Sequence, residues 1–267
     1  MLYLALLHKK PGQRPVVVAT RNVHKAFVYA AALLDLEVVW IYPEGDMSSL
    51  CSCKVEASSV KNILDSLQEP PIAVYVTSPD YLGGQLDIEE LAKICHENGT
   101  ILAVDNAHGA YLHFTKEKMH PIDLGADICC DSAHKTLPVL TGGAYLQIGN
   151  HAPHMFAAYG KQAMALFGST SPSYLILSSL DLCNQYLAND YKERLDNCIR
   201  HVNELKIQLE KQGWKVEKTE PLKLTICAPE GLTGQALAER LRTQQIECEY
   251  ADPGRSDLRS HRCQWFR

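Results

Sequence analysis

A chain of 267 residues is long enough for one large domain with a small appendage. With 46% hydrophobic residues, 21% charged residues and a formal net charge of -5, the composition is that of an ordinary globular protein. The lysines and arginines are scattered, which argues against a nucleic-acid footprint or a membrane-binding basic face. Of the ten cysteines, Cys51 and Cys53 form C-x-C, Cys129 and Cys130 are adjacent, and no pair is C-x-x-C. Disulfide-framework, zinc-ribbon and thioredoxin readings therefore have little support, and buried reduced thiols with no metal are expected. The apolar start Met1 to Leu7 is short, and its basic pair Lys9-Lys10 follows the run instead of preceding it, unlike a signal peptide. No stretch reaches the roughly 18 apolar residues of a membrane span. A soluble cytoplasmic protein is expected.

In chain order, Pro15 to Ala19 reads as a buried strand that leaves into Thr20-Arg21-Asn22, residues 25 to 35 carry helix formers, and Leu36 to Tyr42 gives a second strand ended by Pro43-Glu44-Gly45. The β-α-β pattern recurs: a helix at about 58 to 67, then a strand at 72 to 76, a helix at 87 to 97, and strands at 100 to 104, 126 to 130 and 143 to 148. Near-continuous apolar strands alternating with helices predict an α/β fold, a mainly parallel sheet with helices on both faces. From 173 to 212 the leucine and tyrosine spacing fits a long helix or two joined ones. Beyond it, Trp214 to Val216, Leu222 to Cys227, a helix at about 233 to 243 and Ile246 to Tyr250 suggest a partial small α/β domain. The expected division is a large domain at 1–175, a linking helix at 176–212, the small domain at 213–252 and an irregular tail at 253–267.

Ligands of parallel sheets bind beyond the carboxyl ends of the strands. Two such ends stand out, Val104-Asp105-Asn106-Ala107-His108-Gly109 and Asp131-Ser132-Ala133-His134-Lys135. Alone, Asp105 is more often a cap or turn residue and Lys135 a solvated surface amine. Together they match a division of labour that pyridoxal chemistry requires: a lysine to form a Schiff base, and a carboxylate to keep the pyridine nitrogen protonated.

Asp131 to Thr141 (Asp-Ser-Ala-His-Lys-Thr-Leu-Pro-Val-Leu-Thr), with Asp105 to Gly109, closely resembles the Orn/Lys/Arg decarboxylases of pyridoxal-phosphate fold type I. Arg21-Asn22-Val23-His24-Lys25, Thr77-Ser78-Pro79-Asp80-Tyr81 and Thr170-Ser171-Pro172-Ser173-Tyr174 agree, and the likeness runs through most of residues 5 to 252.

The resemblance implies pyridoxal 5'-phosphate as cofactor, with Lys135 as the Schiff-base nucleophile and His24 stacked on the ring. It implies Asp105 as the pyridinium partner and Ala107 as the small residue packed against the ring. Ser132 and His134 would donate to the phosphate, and Thr170 would reach the phosphate of a second subunit, so that a homodimer or larger homo-oligomer is expected. His24 has a plainer reading as a satisfied loop histidine. His108 would buttress Asp105, a reading no stronger than a structural one. The implied reaction is decarboxylation of lysine, arginine or ornithine to the amine, in polyamine-type amino-acid metabolism. The motifs do not choose the substrate.

The family's Gly/Ser/Thr-rich phosphate cup lies upstream of the Arg-Asn-x-His-Lys segment. Met1 to Leu7 resembles the end of the helix it opens, so the expectation is a chain shortened at both ends. A non-catalytic remnant of such a decarboxylase, or another fold type I enzyme such as an aminotransferase, remains an alternative. With neither G-x-G-x-x-G nor a P-loop, a plain nucleotide-binding protein is the weakest reading, and Gly83-Gly84 and Gly142-Gly143 read as turns.

Overall fold

The fold follows from alternation along five short strands. In the computed structural model, which describes residues 1–43 and 51–252 and the backbone of 262–265, β1 (Val16–Thr20), β2 (Glu37–Ile41), β3 (Ala73–Thr77), β4 (Leu102–Asp105) and β5 (Ile128–Asp131) run parallel in one sheet. The sheet order is β2-β1-β3-β4-β5-β6, with β6 (Tyr145–Ile148) antiparallel at the edge. Glu44-Gly45 of the expected turn lies outside the described residues.

Successive residues of a strand face opposite sides. Val17, Ala19, Ala73, Tyr75, Ala103 and Ile128 pack with α1 (Leu2–His8), α2 (Lys25–Leu33) and α6 (His154–Phe167). Val18, Val74, Val76, Leu102, Val104 and Cys129 pack with α3 (Ala57–Ser66) and α4 (Ile88–Glu97). Both faces are therefore covered, as the near-continuous apolar strands predict. β6 turns back because the 132–144 connection holds only the four-residue helix α5 (Ala133–Thr136), too little to cover a parallel crossover. Gly142 takes φ +96° in the turn that leads into β6.

The chain divides into two compact units, Met1–Asp80 with Leu86–Tyr191, and Tyr81–Gln85 with the rest from Lys192. The helical region at 173–212 is two helices, α7 (Tyr174–Leu187) and α8 (Tyr191–Lys211), separated at Ala188-Asn189-Asp190. Asn and Asp compete with the helical backbone for hydrogen bonds, so the break falls where helix propensity is poorest. α7 belongs to the first unit and nearly all of α8 to the second. The second unit holds β7 (Leu224–Cys227), α9 (Gly234–Arg242), β8 (Tyr250–Ala251) and β9 (Arg262–Trp265). β9 corrects part of the expectation for the tail: Arg262–Trp265 pairs antiparallel with both β7 and β8. Ladder partners on both sides outweigh a local sequence without strand period.

The cysteines of the described residues are free thiols. Cys95 on α4 is fully buried, and burial, with Asp127 nearby, pushes its thiol up to about 12. The folded state thus withholds thiolate at pH values where the unfolded chain ionises, and alkaline pH favours unfolding through this group. Iodoacetamide labelling of the native chain at pH 8, followed by mass spectrometry, is expected to modify the half-buried Cys51, Cys198 and Cys248 first. Cys95 should react only as fast as the chain unfolds, and early modification would contradict this packing.

Candidate active site

The β4–β5 pairing sets Asp105 opposite Cys130, and the Asn106 amide continues the ladder to the Cys130 carbonyl at 3.0 Å. Asp105 and the 132–135 turn are thereby fixed side by side at the carboxyl edge of the sheet. α5 begins there, with Ser132 as its N-cap and Lys135 in its single turn.

Asp105 is buried, yet it accepts only three contacts: from Tyr75 Oη at 3.2 Å, from the Ala107 amide at 3.2 Å and from the Cys130 thiol at 3.8 Å. Among the described residues no lysine, arginine or histidine pairs with it. Burial first, and the Asp105 charge second, push the Tyr75 hydroxyl and the Cys130 thiol well up, so both stay protonated as donors. Lys135 is exposed, and its Nζ lies 3.3 Å from Nε2 of the buried His108. His108, expected to buttress Asp105, is placed against the lysine.

His134 directs Nδ1 at the Gly143 carbonyl, 3.0 Å away, and its amide reaches the same oxygen at 3.2 Å, which leaves Nε2 available to a ligand. Ser132 Oγ makes no hydrogen bond among the described residues. Ala107 is half-buried beside Asp105. His24 caps α2 at the end of β1, accepting the Ala26 amide on Nδ1 at 3.2 Å, and its ring is exposed. Thr170 is exposed in the segment between α6 and α7 and makes no hydrogen bond among the described residues.

The site also contains groups that sequence reasoning did not single out. Tyr75 is the one aromatic in an otherwise small and aliphatic strand, and a polar tip on a fully buried side chain was the available signal. Thr20 Oγ1, Thr77 Oγ1 and both amide atoms of Asn22 are buried without a partner among the described residues. Their positions at the ends of β1 and β3 were among the strand ends worth inspecting.

These features fit a pyridoxal-phosphate ring and its phosphate. A buried carboxylate lacking a cation suits a protonated ring nitrogen, and orphaned donors at neighbouring strand ends suit an oxygen-rich ligand. Residues 5–229 match the family described as Orn/Lys/Arg decarboxylase, major domain. The chain belongs to the Orn/Lys/Arg decarboxylase family. It is 30% identical over 255 residues to the uncharacterized protein YaaO of Bacillus subtilis, covering 91% of this chain and 52% of the relative. It is 26% identical over 257 residues to an arginine decarboxylase of Bacillus anthracis, covering 91% and 51%. The chain thus spans about half the length of the curated relatives it matches. In structure it resembles the Francisella novicida lysine decarboxylase LdcF, with a TM-score of 0.75 at 15% identity, over 99% of this chain and 44% of that one. The fold is that of the pyridoxal-phosphate enzymes of type I. No helix among the described residues is long and apolar enough to cross a membrane.

Removing the Tyr75 hydroxyl leaves the buried Asp105 one donor short. Tyr75→Phe is expected to cost about 1–3 kcal/mol, read as a lowered urea midpoint with unchanged slope. A variant as stable as the wild type would show that this bond does not hold Asp105.

Proposed function

We propose that the chain carries the cofactor-binding core of a pyridoxal-phosphate-dependent decarboxylase acting on a basic amino acid, lysine, arginine or ornithine. The observation that carries the reading is the pair at the β4 and β5 ends: a buried carboxylate without a cation, Asp105, and an amine whose hydrogen-bond partner is an imidazole, Lys135. The family match supports the reaction class, and relatives named arginine decarboxylase support a basic substrate.

In this reading Lys135 Nζ would hold the cofactor covalently. His108 Nε2 receives or returns the lysine proton across the 3.3 Å contact. Asp105, its carboxylate fixed by Tyr75 and the Ala107 amide, would hold a proton on the ring nitrogen. Ala107 is small enough to leave room for the ring, and His24, which caps α2 just beyond β1, would be the side chain to stack on it. Ser132 Oγ and His134 Nε2 would donate to the phosphate. The cofactor, when bound, supplies an electron sink for the charge that departing CO2 leaves on the α-carbon.

A second copy of the chain completes the site through Thr170. Thr170 lies between α6 and α7, which expose Tyr159, Met164, Leu166 and Phe167 on one and Tyr174, Leu175, Leu177 and Leu182 on the other. Exposed apolar side chains in this number are suited to a homodimer interface.

Borohydride reduction of the chain with pyridoxal phosphate is expected to leave the cofactor on the peptide containing Lys135, and on no peptide of Lys135→Ala. Labelling elsewhere, or none at saturating cofactor, would sink the assignment. In the oligomer that turns over, Asp105→Asn should lower kcat by about 100-fold or more, since a preorganised charge at the reacting group is lost. Release of 14C-labelled CO2 from carboxyl-labelled lysine, arginine and ornithine would identify the substrate.

A further inference from the structure

Behind the β4–β5 edge, the loop after Asp105 brings His113, His120 and Asp123 together. They line a cavity of about 360 Å3 that also includes Asp131, Tyr145 and Gln147. His113 Nδ1 lies 2.7 Å from Asp123 Oδ2, and the two imidazoles stand edge to face, 5.7 Å between ring centres. A ligating atom from each of the three residues lies within 4.8 Å of the others.

His120 is held in one tautomer. Its Nε2 lies 3.2 Å from Oδ2 of Asp131, a carboxylate only 2% exposed, while its Nδ1 accepts the Ile122 amide at a longer 3.3 Å. A neutral imidazole that accepts at Nδ1 carries its proton at Nε2 and donates it to Asp131. A histidine whose far nitrogen is tied to a buried carboxylate is the arrangement of metal-binding histidines, and a metal would take the Nδ1 lone pair by displacing the long hydrogen bond from the Ile122 amide.

We propose that His113, His120 and Asp123 form a binding site for a divalent transition-metal ion of the zinc class, with Asp131 orienting His120 from behind. Two imidazoles and one carboxylate suit zinc or cobalt, and the cavity leaves a coordination position for water and a route of entry. Nitrogen and oxygen ligands about 2.0–2.2 Å from zinc lie roughly 3.3 Å apart. The side chain of His113 is 57% exposed and that of Asp123 28% exposed, so rotation of the former closes the set on the buried His120. An ordinary surface His–Asp pair needs neither the second imidazole nor the carboxylate behind it. A bound ion would clamp the 110–123 segment to β5 through Asp131. Asp131 in turn accepts Asn106 Nδ2 at 2.6 Å, one residue from Asp105. The site is independent of whether the decarboxylase reading holds.

A second trio, His120, Cys129 and Asp131, is fully buried and shares the middle histidine, but it would take the nitrogen that holds the proton towards Asp131. The test separates the two. The full chain, without a histidine tag and free of pyridoxal phosphate, is dialysed against Zn2+ and titrated with Co2+. One equivalent of zinc is expected, along with cobalt d–d bands lacking a sulfur-to-metal charge-transfer band. His113→Ala and Asp123→Asn, both at exposed or half-exposed positions, should abolish stoichiometric uptake, and Asp131→Asn should weaken it about 10- to 100-fold. Cys129→Ser should leave it unchanged. No stoichiometric uptake by the wild type, or uptake unaffected by both His113→Ala and Asp123→Asn, overturns the proposal. So does a charge-transfer band that Cys129→Ser removes, which would assign the metal to the inner trio.

Discussion

Everything chemical in this chain depends on the parallel pairing of β4 with β5. Asp105 and Lys135 are 30 residues apart, and neither carries information about the other until Asp105 is set opposite Cys130. The ladder continues past the strand ends: the Asn106 amide bonds the Cys130 carbonyl, and the Ser78 amide bonds the Asp105 carbonyl, each at 3.0 Å. Three strand ends are thus locked before any side chain acts. The register tolerates no slip, because a shift of one residue would carry Asp105 to the opposite face.

That alternation divides the labour of the buried acids. Asp105 points to the face of Tyr75 and Ala103, whereas Asn106 and Asp131 meet on the other. An ionised carboxylate taken out of water costs several kcal/mol unless donors replace the lost hydration. Asp127 recovers this from the Leu102 amide at 2.8 Å and His96 at 3.0 Å. Asp131 recovers it from Asn106 at 2.6 Å, with His120 and Gln147 further out. Asp105 has longer and weaker donors, at 3.2 Å, 3.2 Å and a thiol at 3.8 Å. Of these three acids it is the one whose donors leave the most capacity for a cation.

What the sequence made legible follows from range. Continuous apolar runs located the parallel strands, since burial on both faces leaves a signal in each strand alone. Asp105 and Lys135 were visible because each closes such a run. The aim of a side chain was not visible: His108 reaches the Lys135 amine instead of Asp105, a choice made by the packing of the 106–114 turn. Tyr75 was hidden in an apolar run because only the neighbouring strand gives its hydroxyl a purpose. α6 was not foreseen, and β9 is a strand only because β7 and β8 offer it ladders. The cysteine spacings spoke against zinc frameworks, but His113 sits in a single 3-10 turn and His120 and Asp123 in the loop after it, where no strand or helix period brings them to notice.

The exposed row on α6 and α7 bears on whether one chain suffices. Eight large apolar side chains there are between 43% and 85% exposed. Burying what remains of each yields on the order of 1 kcal/mol, since a full large side chain is worth about 1.5–3 kcal/mol. Across a symmetric pair this is roughly 15 kcal/mol, comparable with the estimated 4–15 kcal/mol that association costs in lost freedom. The balance closes in favour of a dimer only if most of the row is covered at once. The 168–173 segment, with Thr170 exposed in it, lies between the two helices that carry these side chains.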